Sequence, residues 1–181
     1  MPPQILISGN VTMKLFLIGL PGSGKSTLGE KIAYRLRLPF LDLDTVIEQT
    51  AQRSIRTIFA QQSEEAFRQQ ERNALRQTID QHAAFVLATG GGAPCFFDNM
   101  EYMNRCGTTI FLDVPVATIA QRMQGAQVTD RPLLQELDQT QLVQEYTAKF
   151  EKRLPVYRQA HIIIDQNTTL EELAAQLSAR S

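Results

Sequence analysis

Residues 19–27 read Gly-Leu-Pro-Gly-Ser-Gly-Lys-Ser-Thr and directly follow the apolar residues 15–18. They fit the pattern G-x-x-x-x-G-K-[ST], in which glycines let successive backbone N–H groups converge on phosphate oxygens. Such a loop lies between a strand and a helix, because the helix N-terminus supplies part of the positive potential. The pattern therefore favours an α/β fold and predicts nucleotide binding. The alternative interpretation is a glycine-rich turn that binds no ligand.

The residue types in this phosphate loop predict how a nucleotide is held. The Lys25 ammonium is expected to reach the β- and γ-phosphates, and the Ser26 hydroxyl to bind a Mg²⁺ ion that bridges them. Thr27 is adjacent but does not occupy the position that the motif assigns to the metal. The candidate nucleotide contacts of the loop are Gly22, Ser23, Gly24, Lys25, Ser26 and Thr27.

Composition narrows the possible partners. With 181 residues, 43% of them hydrophobic, the chain is expected to form one domain around a single core. A formal net charge of −1 argues against a broad surface for nucleic acid or membrane. No apolar run approaches the roughly 20 residues that cross a bilayer. Cys95 and Cys106 lie in no metal-like spacing and no secretory signal is visible, so we expect reduced thiols and a cytoplasmic location.

Short apolar runs alternate with helical stretches, which is typical of a parallel sheet with crossover helices. Strands are predicted at 14–18, 40–41, 85–88, 109–112 and 162–164, and helices at 25–36, 64–79, 116–123, 140–153 and 170–177. We expect one domain over residues 13–181. Residues 1–12 precede the first clear strand and are expected to be an extension, disordered or a frayed strand.

A long polar connection covers residues 124–140, with Pro132, Leu133 and Leu134 as its apolar anchor. Long loops in compact domains often close over a site, so a mobile lid is predicted at about 124–138. A solvated surface loop is the alternative.

Polar and glycine residues follow the second and third predicted strands. In open α/β sheets the ligand lies beyond the carboxyl ends of the strands, so Asp42 and Asp44 could serve a metal and a substrate separately. Taken alone, Asp44 is better interpreted as a helix N-cap ahead of Val46 and Ile47. Gly90, Gly91 and Gly92, the glycine triplet, could present backbone N–H groups to a ligand or form a flexible turn.

Three arginines are further candidates. Arg68 lies three residues before Glu71 on a predicted helix, so this carboxylate could orient the guanidinium, although a surface ion pair is the plainer interpretation. Arg131 lies in the predicted lid and Arg153 lies before the last strand. Either arginine alone would be a solvated charge in most proteins.

Taken together, these motifs resemble the shikimate kinase family from about residue 14 to residue 164. The phosphate loop, Asp-x-Asp, Phe-Arg-x-x-Glu, Gly-Gly-Gly, Arg-Pro-Leu-Leu and Arg-x-Pro-x-Tyr occur in this order with similar gaps. The resemblance implies a three-layer α/β sandwich of the phosphate-loop kinase type, with a five-stranded parallel sheet flanked by helices. It also implies transfer of the ATP γ-phosphoryl group to the 3-hydroxyl of shikimate in aromatic amino-acid biosynthesis.

The resemblance further implies roles for individual residues. Arg68 and Arg153 would hold the shikimate carboxylate, Asp44 would orient or deprotonate the attacking hydroxyl, and Gly91 would add a backbone contact. The substrate-binding helices would lie at about 44–80. The implied substrate contacts are Asp44, Arg68, Gly90, Gly91, Gly92 and Arg153.

Metal and phosphate roles follow from the same resemblance. Ser26 would bind Mg²⁺ directly and Asp42 through water, since this ion keeps several waters. Lys25 and Arg131 would neutralise charge on the transferred group, so Lys25, Asp44 and Arg131 are the implied catalytic residues. ATP and shikimate are the expected partners of a monomer.

The chain departs from the family pattern at three places. Ser63 replaces a usual glycine and could cap the helix that follows it. Gln124 stands where many relatives have a second lid arginine, and Arg122 could substitute if the loop carries a two-residue insertion. Residues 165–168 offer no arginine for adenine. Two alternatives to a shikimate kinase remain. They are another small-molecule kinase, of the gluconate or nucleoside-monophosphate type, and a catalytically lapsed nucleotide-binding module.

Overall fold

The computed structural model describes residues 12–125 and 139–180. Five parallel strands form one sheet in the order β2-β3-β1-β4-β5. They are β1 (Lys14–Ile18), β2 (Phe40–Asp42), β3 (Phe85–Ala88), β4 (Thr108–Asp113) and β5 (Ile162–Asp165). The five-stranded parallel sheet predicted from the sequence is confirmed, with each strand end within one residue of its predicted position.

Helices connect these strands. They are α1 (Lys25–Leu36), α2 (Leu43–Ala51), α3 (Ile55–Gln61), α4 (Glu64–Gln81), α5 (Asn99–Cys106), α6 (Val116–Gly125), α7 (Gln139–Tyr157) and α8 (Leu170–Ser178), with a short 3-10 helix at Ala93–Cys95. α5 was not predicted, because its eight residues form only two turns, too few for a helical period to stand out. α2 and α3 were expected only through the resemblance, which placed substrate-binding helices at about 44–80. α7 continues four residues beyond its predicted end and includes Pro155.

The core lies on the central strands. Residues 15–18 of β1 and all four residues of β3 are buried, as expected for parallel strands covered on both faces by helices. Phe16 and Phe85 meet edge to face with ring centroids 5.5 Å apart, and Phe111 packs against Tyr157 at 5.0 Å. These aromatic contacts join β1 to β3 and α7 to β4.

Strand register places the predicted site residues at one edge of the sheet. Leu17 of β1 aligns with Ala88 of β3, and Ala88 aligns with Asp42 of β2. The chain leaves these strands at the phosphate loop, at α2 and at the glycine triplet. The three segments therefore meet, because parallel strands in register end at the same edge.

Among the described residues no helix is long and apolar enough to cross a membrane. Cys95 and Cys106 are both free thiols. The predicted lid at about 124–138 lies almost wholly outside the described residues, as do Arg131 and residues 1–11 of the expected extension.

The junction between α5 and β4 yields a stability prediction. A Cβ atom on Gly107 would lie 2.2 Å from the backbone oxygen of Lys14, at the start of β1, and a backbone atom in a central strand yields little. We expect Gly107→Ala to lower the free energy of unfolding by about 2–3 kcal/mol, the upper part of the range for overpacking. Urea denaturation should show this loss, whereas the control Gln176→Ala on the exposed face of α8 should change the free energy by less than about 0.5 kcal/mol.

Candidate functional site

The phosphate loop has the backbone of an anion cradle. Gly19, Gly22 and Gly24 have φ angles of 144°, 81° and 99°, a region in which a side chain would be strained. Lys25 is the first residue of α1 and is buried, and its ammonium donates to the carbonyl oxygens of Gly19 and Leu20 at 3.0 and 2.8 Å. The positive end of the α1 dipole and the Lys25 ammonium therefore lie together at the phosphate loop.

Asp42 links the phosphate loop to α2. The Ser26 hydroxyl donates to Asp42 Oδ2 at 2.9 Å, and the Asp44 backbone N–H donates to Asp42 Oδ1 at 3.0 Å. Asp42, not Asp44, is therefore the N-cap of α2. Interpreting Asp44 as the cap was wrong, because the strand ends one residue later than predicted and the helix begins at Leu43. Asp44 lies in the first turn, where the positive end of the helix favours a carboxylate.

The glycine triplet leaves room for the side chains around it. A Cβ atom on Gly90 would lie 2.9 Å from Glu71 Oε1 and 3.1 Å from Asp44 Oδ1. A Cβ atom on Gly92 would lie 2.7 Å from an Arg68 nitrogen. The φ of Gly92 is −87°, which any residue adopts, so the position requires a small residue rather than a special backbone angle.

Gly91 faces the phosphate loop. A Cβ atom on Gly91 would lie 2.5 Å from Pro21 Cδ, so the triplet and the phosphate loop are in direct contact. On its other side the carbonyl oxygen of Gly91 accepts a 2.5 Å hydrogen bond from the buried Tyr157 hydroxyl. The triplet is thus held between the phosphate loop and α7.

Arg68 and Glu71 form a buried ion pair on α4. Arg68 Nη1 donates to Glu71 Oε2 at 2.7 Å, with Glu71 only 1% exposed and Arg68 9% exposed. Arg68 Nη2 also contacts Glu64, whose carboxylate is mostly in solvent, at 3.3 Å. Interpreting Arg68 and Glu71 as a surface pair was therefore wrong, because α4 turns this side toward α2 and the triplet. Ser63 caps α4 by accepting from the Ala66 N–H, as the sequence predicted.

Burial changes the titration of groups around this pair. It raises the pKa of Glu71 above its usual range, although the Arg68 charge acts in the opposite direction. Burial also raises the pKa of Cys95 and of Tyr157, against the lowering effect of Arg153. The Arg153 charge acts to lower the pKa of Tyr157, Glu71 and Cys95, so α7 brings a second guanidinium near the cluster.

Asp44, Arg68, Glu71 and the glycine triplet lie together beside the phosphate loop, and Arg153 is close enough to act on Glu71. This cluster is called here the acceptor pocket. It contains two guanidinium groups, which are able to hold a planar anion. It also contains the Asp44 carboxylate, which lies in the first turn of α2. This is the arrangement expected for an anionic acceptor that presents a hydroxyl group to a phosphoryl donor.

A cleft of about 600 Å³ lies along the phosphate loop and is called here the nucleotide cleft, after the ligand that the loop predicts. It is lined by residues 22–28, Lys31, Leu112, Arg122, Asp165, Gln166 and Thr168. Arg122 Nη1 donates to the carbonyl oxygen of Ser23 at 3.1 Å, so α6 places a guanidinium directly against the loop. The sequence left Arg122 open as a substitute for the arginine missing at position 124 if the loop carries a two-residue insertion, and that loop lies outside the described residues.

The described residues of the site supply few oxygen ligands, which suits a magnesium ion whose other ligands are phosphate oxygens and water. Within residues 12–125 and 139–180 there is no cluster of three His, Cys, Asp or Glu side chains that could bind a metal alone. Ser26 Oγ and Asp42 Oδ2 lie side by side next to the phosphate loop, and Mg²⁺ typically takes few protein oxygens together with phosphate oxygens and waters.

Comparison with known proteins gives a consistent result. The family model described as shikimate kinase matches residues 21–180. A shikimate kinase from Bacteroides fragilis is 44% identical over 151 residues, which cover 83% of either chain. The crystal structure of shikimate kinase from Bacteroides thetaiotaomicron superposes with a TM-score of 0.81 at 36% identity, covering 93% of this chain and 96% of that one.

A third comparison comes from a structure with a bound ligand. Shikimate kinase from Acinetobacter baumannii in complex with shikimate gives a TM-score of 0.79 at 32% identity, and the match covers 94% of this chain and 93% of that chain. These similarities extend over nearly the whole sheet and its helices.

The buried ion pair yields a prediction with a control in the same helix. We expect Glu71→Ala to lower the free energy of unfolding by about 3 kcal/mol, because the Arg68 guanidinium loses its buried counter-charge. Glu64→Ala removes the other carboxylate that contacts Arg68. The Glu64 side chain is 63% exposed, so its loss should lower the free energy of unfolding by less than about 1 kcal/mol. Urea unfolding at pH 7 measures both losses, and equal losses would contradict the dominance of Glu71.

Proposed function

Because this chain belongs to the shikimate kinase family, we propose that it transfers the γ-phosphoryl group of ATP to the 3-hydroxyl of shikimate, giving shikimate 3-phosphate and ADP. The convergence of Asp44, Arg68 and the glycine triplet beside the phosphate loop supports this activity most directly. A nucleoside-monophosphate kinase would bind a phosphate rather than a carboxylate at this position. Gluconate also carries a carboxylate, so an acceptor assay, and not the Arg68–Glu71 pair, distinguishes a gluconate kinase.

We assign a role to the residues of the acceptor pocket that would contact shikimate. Arg68 and Arg153 hold the shikimate carboxylate, which matches the fork of a guanidinium group. Asp44 binds the ring hydroxyls and accepts the proton of the attacking one as the phosphorus–oxygen bond forms. The small residues Gly90, Gly91 and Gly92 let the substrate ring approach the backbone between Asp44 and the phosphate loop.

The remaining roles are on the donor side. The Lys25 ammonium exchanges its two carbonyl contacts for phosphate oxygens when ATP binds, and the N–H groups of residues 22–27 hold the β-phosphate. Ser26 and Asp42 would hold Mg²⁺, which neutralises phosphate charge when bound. Arg131 is proposed to reach the transferred group from the lid, on the strength of its motif alone.

A coupled assay of ADP release tests the proposed activity. Purified protein with Mg²⁺ and ATP should turn over with shikimate, and quinate, gluconate and a nucleoside monophosphate should give little activity at the same concentration. Asp44→Asn should lower kcat by about 10²–10³-fold, because the general base is lost. Arg68 and Arg153 would still bind the carboxylate of shikimate. Turnover with gluconate or a nucleotide in place of shikimate would reject the assignment, and no turnover with any acceptor would favour the binding module.

Arg122 provides a separate prediction for the nucleotide cleft. We expect Arg122→Ala to raise KM for ATP about fivefold, equivalent to about 1 kcal/mol, because a guanidinium next to the phosphate loop is lost. KM for shikimate should stay within about twofold. Arg105→Ala is the matched control, since Arg105 lies on α5 in an exposed pair with Glu101. An unchanged KM for ATP in Arg122→Ala would place this side chain outside the nucleotide site.

A further inference from the structure

Arg68 contacts two aromatic rings in addition to its carboxylates. Its guanidinium carbon lies over the Phe96 ring at 4.2 Å from the centroid and over the Phe67 ring at 5.1 Å. Both distances are within the range of cation–π attraction, and Phe96 is the closer ring. Arg68 Nε is buried and has no hydrogen-bond acceptor among the described residues, so the rings and the two Nη contacts determine the orientation of the group.

Phe96 belongs to a segment that follows the glycine triplet. The chain passes through the 3-10 helix Ala93–Cys95, becomes extended at Phe96 and then adopts a φ of 53° at Phe97. A positive φ is uncommon for an aromatic residue and persists where surrounding contacts impose it. Contacts with neighbouring elements therefore hold this segment in place.

Those contacts come from α4. Asp98 accepts two hydrogen bonds from Arg76 Nη2, at 2.6 and 2.8 Å, and lies 3.4 Å from Arg72 Nη2. Arg68, Arg72 and Arg76 are spaced four residues apart and so lie on one face of the helix. The first arginine contacts Phe96, and the other two bind Asp98, two residues further along the segment.

The Arg76–Asp98 pair is well formed for a partly exposed ion pair. Arg76 also stacks on Tyr102 of α5, with its guanidinium carbon 4.0 Å from the ring centroid. The Arg76 contact also lowers the pKa of Asp98, as expected for a carboxylate that accepts hydrogen bonds from a guanidinium. The segment carrying Phe96 is thus anchored to α4 at its far end, while the triplet holds its near end.

We propose that Phe96 is a positioning residue of the acceptor pocket, which holds the Arg68 guanidinium in the orientation that receives the acceptor carboxylate, with Asp98 anchoring Phe96 to α4. This inference rests on the proposed function, because Arg68 is the assigned carboxylate contact. A guanidinium that is already held loses less side-chain freedom when the acceptor binds, so the benefit appears as acceptor affinity. The phosphoryl-transfer step itself does not involve Phe96.

Steady-state kinetics with shikimate and ATP test this role. Phe96→Leu keeps an apolar side chain of similar size but removes the π face. It should raise KM for shikimate about fivefold and leave kcat and KM for ATP within about twofold. Phe96→Tyr keeps the ring and should restore KM for shikimate to within about twofold of the original chain. A change in kcat or in KM for ATP as large as that in KM for shikimate would overturn the proposal.

Two further variants separate positioning from packing. Phe97→Leu is the matched control, because this neighbouring ring is 52% exposed and lies over Arg72 rather than Arg68. It should leave KM for shikimate within about twofold. Asp98→Ala should raise KM for shikimate about threefold, because Phe96 loses its anchor. Equal effects of Phe96→Leu and Phe97→Leu would indicate general loosening of the segment and would count against the proposal.

A double-mutant cycle with Arg68→Lys decides whether Phe96 acts through Arg68. In the Arg68→Lys background the stacked guanidinium is gone, so adding Phe96→Leu should change KM for shikimate by less than about twofold. A fivefold effect in both backgrounds would show that Phe96 acts independently and would overturn the inference alone. If the unaltered chain does not phosphorylate shikimate, the proposed function itself fails, which the assay of the parent protein reveals first.

Discussion

The register of three parallel strands is the constraint on which the site depends. Leu17, Ala88 and Asp42 occupy aligned positions, so the chain leaves β1, β3 and β2 at the same edge of the sheet. A slip of one residue in either pairing would turn buried side chains toward the opposite face and displace one of the three segments. The two faces of β1 and β3 are fully packed, and this burial makes the register costly to change.

The acceptor pocket shows how a buried charge is accommodated beside that edge. Removing Arg68 and Glu71 from water is unfavourable, and their mutual contact offsets this cost only with good geometry. The 2.7 Å hydrogen bond, the Phe96 ring and the space left by Gly92 meet this requirement together. The stability of this part of the fold and the acceptor recognition proposed above therefore depend on the same small group of side chains.

Local pattern predicted much of this architecture, but some residues escaped it. The strands and most helix limits followed from apolar periodicity and from capping residues such as Ser63. α5 was missed, because a helix of eight residues shows only two turns of its apolar period. The cap of α2 was assigned to Asp44 instead of Asp42, because the choice depends on where the strand ends. Phe96 carried no recognisable motif.

The sequence alone determined the phosphate loop, the parallel α/β class and the family, because these depend on residue types at short, fixed spacings. It also named Asp44, Arg68 and Arg153 through their motifs. Only the tertiary structure decided that the Arg68–Glu71 pair is buried, that Arg122 contacts the phosphate loop and that Phe96 stacks on Arg68. Such contacts join residues distant in the chain or depend on burial, which arises only when helices pack on the sheet.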